Sequence, residues 1–179
     1  MKLEFGALTD QQPTGTHGIA ALLAQTPGVD LTSAYDDLQA TVVALEITRT
    51  FWEKTTILHA EYHRPTELPI RDRFARHYAD FDALWRHPSR AKALARLDLL
   101  EDVVRHKSRF FASAWTHYET AKPGTFRLVP ALARHAALAR DYATMAPMFI
   151  GVPIEFDVML KRLEAAQQQL NGVRLLPPS

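Results

Sequence analysis

The sequence predicts an α+β protein, with short strands near the N-terminus followed by a bundle of four to six helices. Residues 1–45 hold four of the seven glycines, Gly6, Gly15, Gly18 and Gly28. The same region carries Thr41-Val42-Val43-Ala44-Leu45, a β-branched apolar run of the kind that suits a strand. Beyond residue 48 the apolar residues recur at helical spacing.

Taken in order, Lys2-Leu3-Glu4-Phe5 reads as a short strand with Leu3 and Phe5 on one face. Gln11 to His17 reads as a loop, punctuated by Pro13 and Gly15. Ile19 to Ala24 reads as one or two helical turns, and Thr41–Leu45 as a second, buried strand. The first long helix carries Phe51, Thr55, Leu58 and Tyr62 at spacings of four, three and four, and Pro65 follows its end. A second runs from about Arg71 to Arg86, with Phe74, Tyr78, Phe81 and Trp85 on one stripe. A third runs from about Leu97 to Trp115, with Leu100, Val104, Phe111 and Trp115 inward, flanked by Leu99, Val103 and Phe110. Lys122-Pro123-Gly124 is a loop. A fourth helix follows Pro130, a residue suited to a first helical position. A fifth runs from about Pro153 to Asn171, with Phe156, Leu160, Leu163 and Leu170 inward and Gly172 at its C-terminal cap. The tail from Leu175, with Pro177-Pro178, reads as frayed.

Composition narrows the function classes. Hydrophobic residues make up 47% and charged residues 23%, ordinary globular usage that argues against a disordered chain. The absence of cysteine excludes a disulfide framework and a thiolate zinc site, and suits a reducing, cytoplasmic setting. Lys and Arg total 21 against 20 Asp and Glu, a net charge of +1, so any nucleic acid must be met by a local basic patch. No apolar run approaches the roughly 20 residues of a membrane span, and the N-terminus lacks the pattern of a signal peptide.

Four local patterns bear on chemistry. Arg76 and Asp80 are four apart on the second helix, the spacing of an intrahelical ion pair worth a few tenths of a kcal/mol. Lys54 lies about 60° from the apolar stripe of the first helix. Its ammonium either snorkels to water or is aimed into a cleft to hold a phosphate. Asp80-Phe81-Asp82 spells a two-metal signature. On a helix, however, the two carboxylates diverge by about 160°, which argues against a metal pair. His59 and His63 are four apart near a helix end. Glu61 between them is not placed as the base of a zinc protease motif, and both histidines read as surface residues.

The order of several blocks resembles the AbiEii/AbiGii family of nucleotidyltransferase toxins, from type IV toxin–antitoxin (abortive infection) systems. The blocks are Arg49 through Ala60 (RTFWEKTTILHA), Arg76 through Asp80 (RHYAD) with Leu84, and Val103 through Phe111 (VVRHKSRFF). Leu128-Val129-Pro130, Asp141-Tyr142, Met145 through Gly151 and the last helix ending at Leu170-Asn171 follow in family order. Met1 to Ala7 is similar to the family's Leu-Glu-Phe-Gly strand. The resemblance covers nearly the whole chain but only the C-terminal part of the family.

The resemblance implies a nucleotidyltransferase-like core remnant over 1–47, a helical region over 48–172 and a tail over 173–179. It implies that Lys54 contacts the nucleotide with Arg76 nearby, and that Asp80 and Glu4 are the acidic catalytic positions. It also implies Mg²⁺ and a nucleoside triphosphate as cofactors, a cognate antitoxin as partner and RNA as a target. Two departures stand out. The Gly-Ser turn and the strand with paired metal-binding acids have no match in this sequence, and His77 stands where many members carry a carboxylate. The expectation is therefore a truncated member, inactive alone and without a metal site of its own. The alternative is a non-catalytic helical module that binds an antitoxin or RNA through Arg71, Arg73, Arg76, Arg105, Lys107 and Arg109.

Overall fold

A computed structural model describes residues 12–21, 23–28, 38–149 and 151–172. The strand expected at Lys2–Phe5, with Glu4 in it, and the tail beyond Gly172 lie outside the described residues. The chain divides into two compact units, Met1–Glu46 and Ile47–Ser179. The architecture is α+β: among the described residues, a two-stranded sheet in the first unit and six α-helices in the second.

In the first unit, β1 (Thr14–Ala20) pairs antiparallel with β2 (Gln39–Leu45), in a register that sets Thr14 opposite Leu45 and Ala20 opposite Gln39. From Thr14 onward β1 takes the place of the loop expected over Gln11–His17, and it also takes Ile19 and Ala20 from the helical turn expected over Ile19–Ala24. Only Leu23–Gln25 is helical, as a single 3-10 turn. Gly15, read as loop punctuation, and Gly18 sit inside the strand. A Cβ at Gly15 would press on the Glu46 carboxylate, so the missing side chain serves close packing and not a turn. β2 forms where a strand is expected, but it is not buried. Val43 is 72% exposed, and Ile19 on the partner strand is exposed as well. Two strands present two open faces, and β-branched composition alone does not say whether either is covered.

The second unit holds the core. α1 (Ile47–His63) is central and packs against α2 (Arg76–Arg86), α3 (Arg90–Leu94) and α4 (Leu97–Phe110). α5 (His135–Thr144) and α6 (Phe156–Gly172) complete it, with α6 against α2. The stripe Phe74, Tyr78, Phe81 and Trp85 is buried. Phe51 of α1 meets Phe81 at 5.6 Å and Trp52 edge-on at 4.9 Å between ring centroids, geometries that add to plain area burial. Trp52 Nε1 donates to the backbone oxygens of Ala93 (3.1 Å) and Arg96 (3.0 Å), which ties α1 to the end of α3.

Three helix boundaries differ from expectation, each with a local cause. α2 begins at Arg76 and not Arg71, because Arg73 takes a left-handed conformation (φ 58°). The Asp141 carboxylate accepts the N–H groups of Arg73 and Ala75, both at 2.7 Å, and so fixes that turn and caps the helix. α4 stops at Phe110, leaving Phe110 and Phe111 exposed. Beyond it, the Thr116 hydroxyl donates to Ser113 O (3.1 Å), a side-chain-to-backbone bond that competes with helix continuation. Pro130 does not open α5 directly; a 3-10 turn, Leu132–Arg134, intervenes. α6 spans nearly its expected range. Its Asn171 brackets Phe126, accepting its N–H (2.8 Å) and donating to its carbonyl (3.0 Å), while Gln167 accepts the N–H of Leu128 (2.7 Å).

Candidate nucleotide site on α1 and α2

Lys54 sits one residue from the buried stripe of α1, so its ammonium emerges at the edge of the helix pair. Its Nζ donates to Asp80 Oδ2 at 2.7 Å and to His77 Nδ1 at 3.2 Å, both on α2. Side-chain exposure is 20% for Lys54 and 45% for Asp80. A pair this accessible contributes about 0–1 kcal/mol. Asp80 therefore pairs across helices with Lys54, not with Arg76 on its own helix. Arg76 is exposed beside it.

His77 is half-buried, with its ring edge-on to Phe74 (4.9 Å between centroids). Burial first, and then the charges of Lys54, Arg76, Arg71 and Lys107, lower its pKa to about 3. The imidazole is neutral, and because Nδ1 accepts from Lys54 its hydrogen is on Nε2. Of these cations Lys54 is bonded to the imidazole, and Asp80 is the carboxylate bonded to Lys54.

Behind this cluster lies a buried ionic joint. Lys107 of α4 is 6% exposed; its Nζ bonds Glu53 Oε2 (2.9 Å), Glu53 O (2.8 Å) and Thr56 Oγ1 (2.8 Å). Burial lowers its pKa and the Glu53 carboxylate opposes that shift. Arg49, also buried, reaches the other oxygen of Glu53 at 3.4 Å. Lys107 therefore leaves the set of basic residues available to a nucleic acid. Arg71 is engaged too, with the buried Glu61 at 2.8 Å.

The two carboxylates of the Asp-Phe-Asp triplet meet different neighbours. Asp82 is buried, and its Oδ2 accepts from Arg86 (3.0 Å) and from Arg162 of α6 (3.3 Å), while Asp80 faces α1. Among the described residues, no group of three or more His, Asp or Glu is placed to hold a metal ion.

The reading of His59 as a surface residue is corrected: it is 1% exposed. Its Nδ1 accepts the Arg127 N–H (3.1 Å), so Nε2 carries the hydrogen and donates toward Thr120 Oγ1 (3.0 Å) and His117 O (3.2 Å). Burial, then the neighbouring His63, lower its pKa to about 4. The segment from His117 to Arg127 covers this face of α1, which helical spacing does not reveal.

The structure thus joins Lys54 and Asp80, leaves Arg76 exposed one turn before Asp80 on α2, and leaves Glu4 outside the described residues. It adds His77, whose role as a partner of Lys54 no spacing signals, since 23 residues separate them.

Lys54 of α1 and its two partners His77 and Asp80 on α2 thus form one cross-helix cluster, with Arg76 exposed on the same helix. Residues 1–168 match the family model described as nucleotidyl transferase AbiEii toxin, type IV TA (toxin–antitoxin) system. The chain belongs to that family of nucleotidyltransferase toxins, and the family implies an antitoxin partner. No curated protein and no solved structure matches the chain. Among the described residues, no helix is long and apolar enough to cross a membrane.

Proposed function

We propose that the helical unit forms the triphosphate-holding side of a nucleotidyltransferase toxin. Lys54 contacts the phosphates, Arg76 adds a second cation, and Asp80 is the acidic residue of the site; the resemblance marks Glu4 as a further acidic position. One observation carries this reading: α1 and α2 meet at the Lys54 ammonium, held by a weak cross-helix pair, with the exposed Arg76 on the same helix as its partner. A triphosphate carries about four negative charges at neutral pH, and a lysine engages it as a point charge without a preformed cradle.

The family's chemistry uses a divalent metal to organise the triphosphate and activate the attacking hydroxyl. The described residues do not fit such an ion. Asp80 is bonded to Lys54, Asp82 to two arginines and Glu53 to Lys107, so each of these carboxylates already has a cation. What this unit supplies is binding by charge. By itself the chain holds a triphosphate without transferring a nucleotide to RNA or protein.

The test incubates the purified chain with labelled nucleoside triphosphate, with and without Mg²⁺, and with total RNA. Expected are salt-sensitive binding that Lys54→Ala weakens about tenfold and no incorporation of label. Binding indifferent to Lys54→Ala would remove the site. Incorporation that depends on Lys54 or Asp80 would show that the chain completes a catalytic centre.

A further inference from the structure

We infer that His77 is a positioning residue, a neutral acceptor that holds the Lys54 ammonium in place for an incoming phosphate without cancelling its charge. The inference rests on the reading of Lys54 as the phosphate contact and goes beyond it by assigning a residue that orients this contact. An ammonium has three donors in a tetrahedral array. Asp80 takes one and His77 a second, from the same helix and one turn apart. Neither of them uses the third, which is the donor we assign to a phosphate.

Two tethers do more than one. A free lysine side chain samples many rotamers, and that freedom is lost when it binds. Held at two points, Lys54 has already lost it, and less is left to lose on association. The chemistry of the second tether then matters. A carboxylate in place of His77 would hold the ammonium as well, but two carboxylates against one ammonium leave a net negative centre that repels phosphate. A neutral imidazole holds without that cost. Burial opposes its protonation, as do the charges of Lys54, Arg76, Arg71 and Lys107. Asp80 is the anion on the same ammonium. His77 therefore stays an acceptor over the physiological range.

The test uses the full 179-residue chain and inorganic tripolyphosphate without metal, read by calorimetry. Circular dichroism checks that each variant is folded. His77→Asn keeps an acceptor close to the position of Nδ1 and should bind within about twofold of the parent chain; His77→Leu removes the acceptor and should weaken binding about fivefold. His77→Asp keeps the acceptor but adds charge, and should weaken binding most, with a shallower salt dependence. The affinities of the parent chain and His77→Asn should run parallel from pH 8 to pH 5. A parent chain that gains affinity relative to His77→Asn as pH falls would show a titrating cation, and the inference fails. It also fails if His77→Leu binds normally, or if His77→Asn is as weak as His77→Leu. If Lys54→Ala leaves binding intact, the reading of Lys54 itself fails. If Lys54→Ala abolishes binding while all His77 variants bind normally, only the present inference fails.

Discussion

Lys107 and His59 are charge-bearing residue types placed where water is scarce, and each makes a specific demand on its neighbours. Lys107 has no escape to solvent, so its three donors go to Glu53 and Thr56. Replacing it by Leu removes a charge whose partner carboxylate stays largely covered. Lys107→Leu is expected to cost about 2–3 kcal/mol, since breaking a buried pair from one side exceeds the net worth of the pair. Urea denaturation would measure it, and a cost below 1 kcal/mol would mean Arg49 alone satisfies Glu53.

His59 makes a pH-dependent demand. Its folded pKa of about 4 lies below the usual 6.5, so the unfolded chain binds the proton more readily. The stability this neutral imidazole supplies is complete above about pH 6.5 and is lost as pH falls toward 4. The loss is up to roughly 3 kcal/mol. His59→Asn keeps an acceptor for the Arg127 N–H and does not titrate. The parent chain should therefore lose more stability than this variant between pH 7 and pH 4, and equal slopes would refute the assignment.

At the scale of elements, α2 is the one that carries the candidate site, and its start is set from a distance. Asp141 of α5 accepts two N–H groups that would otherwise be unsatisfied at a helix beginning. Asp141→Ala is expected to destabilise the protein by about 1–2 kcal/mol. Because His77 and Asp80 sit in the first turns behind that cap, it should also weaken triphosphate binding. Asp141→Asn, which keeps one oxygen, should lie between. Thermal unfolding and nucleotide titration on the same samples check both effects.

The helices were legible because an apolar stripe such as Phe74, Tyr78, Phe81 and Trp85 repeats often enough to be read without tertiary information. β1 was not, because Gly15 and Gly18 look like turns unless the partner strand is known. α3 was not, because five residues hold fewer than two turns. The site was half legible: resemblance marked Lys54 and Asp80, while spacing marked Arg76–Asp80 as a pair within one helix. The actual bond spans 26 residues and depends on how two helices pack, which no periodicity encodes.

For the whole molecule, the distribution of apolar burial is decisive. The hydrophobic core lies between Phe51 and Leu170, within the second compact unit. A fragment spanning residues 47–179 is therefore expected to fold by itself, with full helical circular dichroism and one cooperative melt. A fragment that melts without cooperativity would show that the core depends on residues before Ile47.

The bracket that Asn171 and Gln167 place around Phe126 and Leu128 also has a consequence in time. A ribosome delivers α1 through α5 before α6, so the growing chain presents Phe81 and Leu128 without the helix that brings Met159 and Leu163 to the shared core. Local helices can form early, but contacts this far apart in sequence close late. Until α6 emerges, the nascent polypeptide carries an apolar face that invites chaperones or aggregation. Synthesis thereby imposes its own delay on the toxin, and nonsense mutations before residue 159 should yield insoluble or degraded product, not a smaller folded protein.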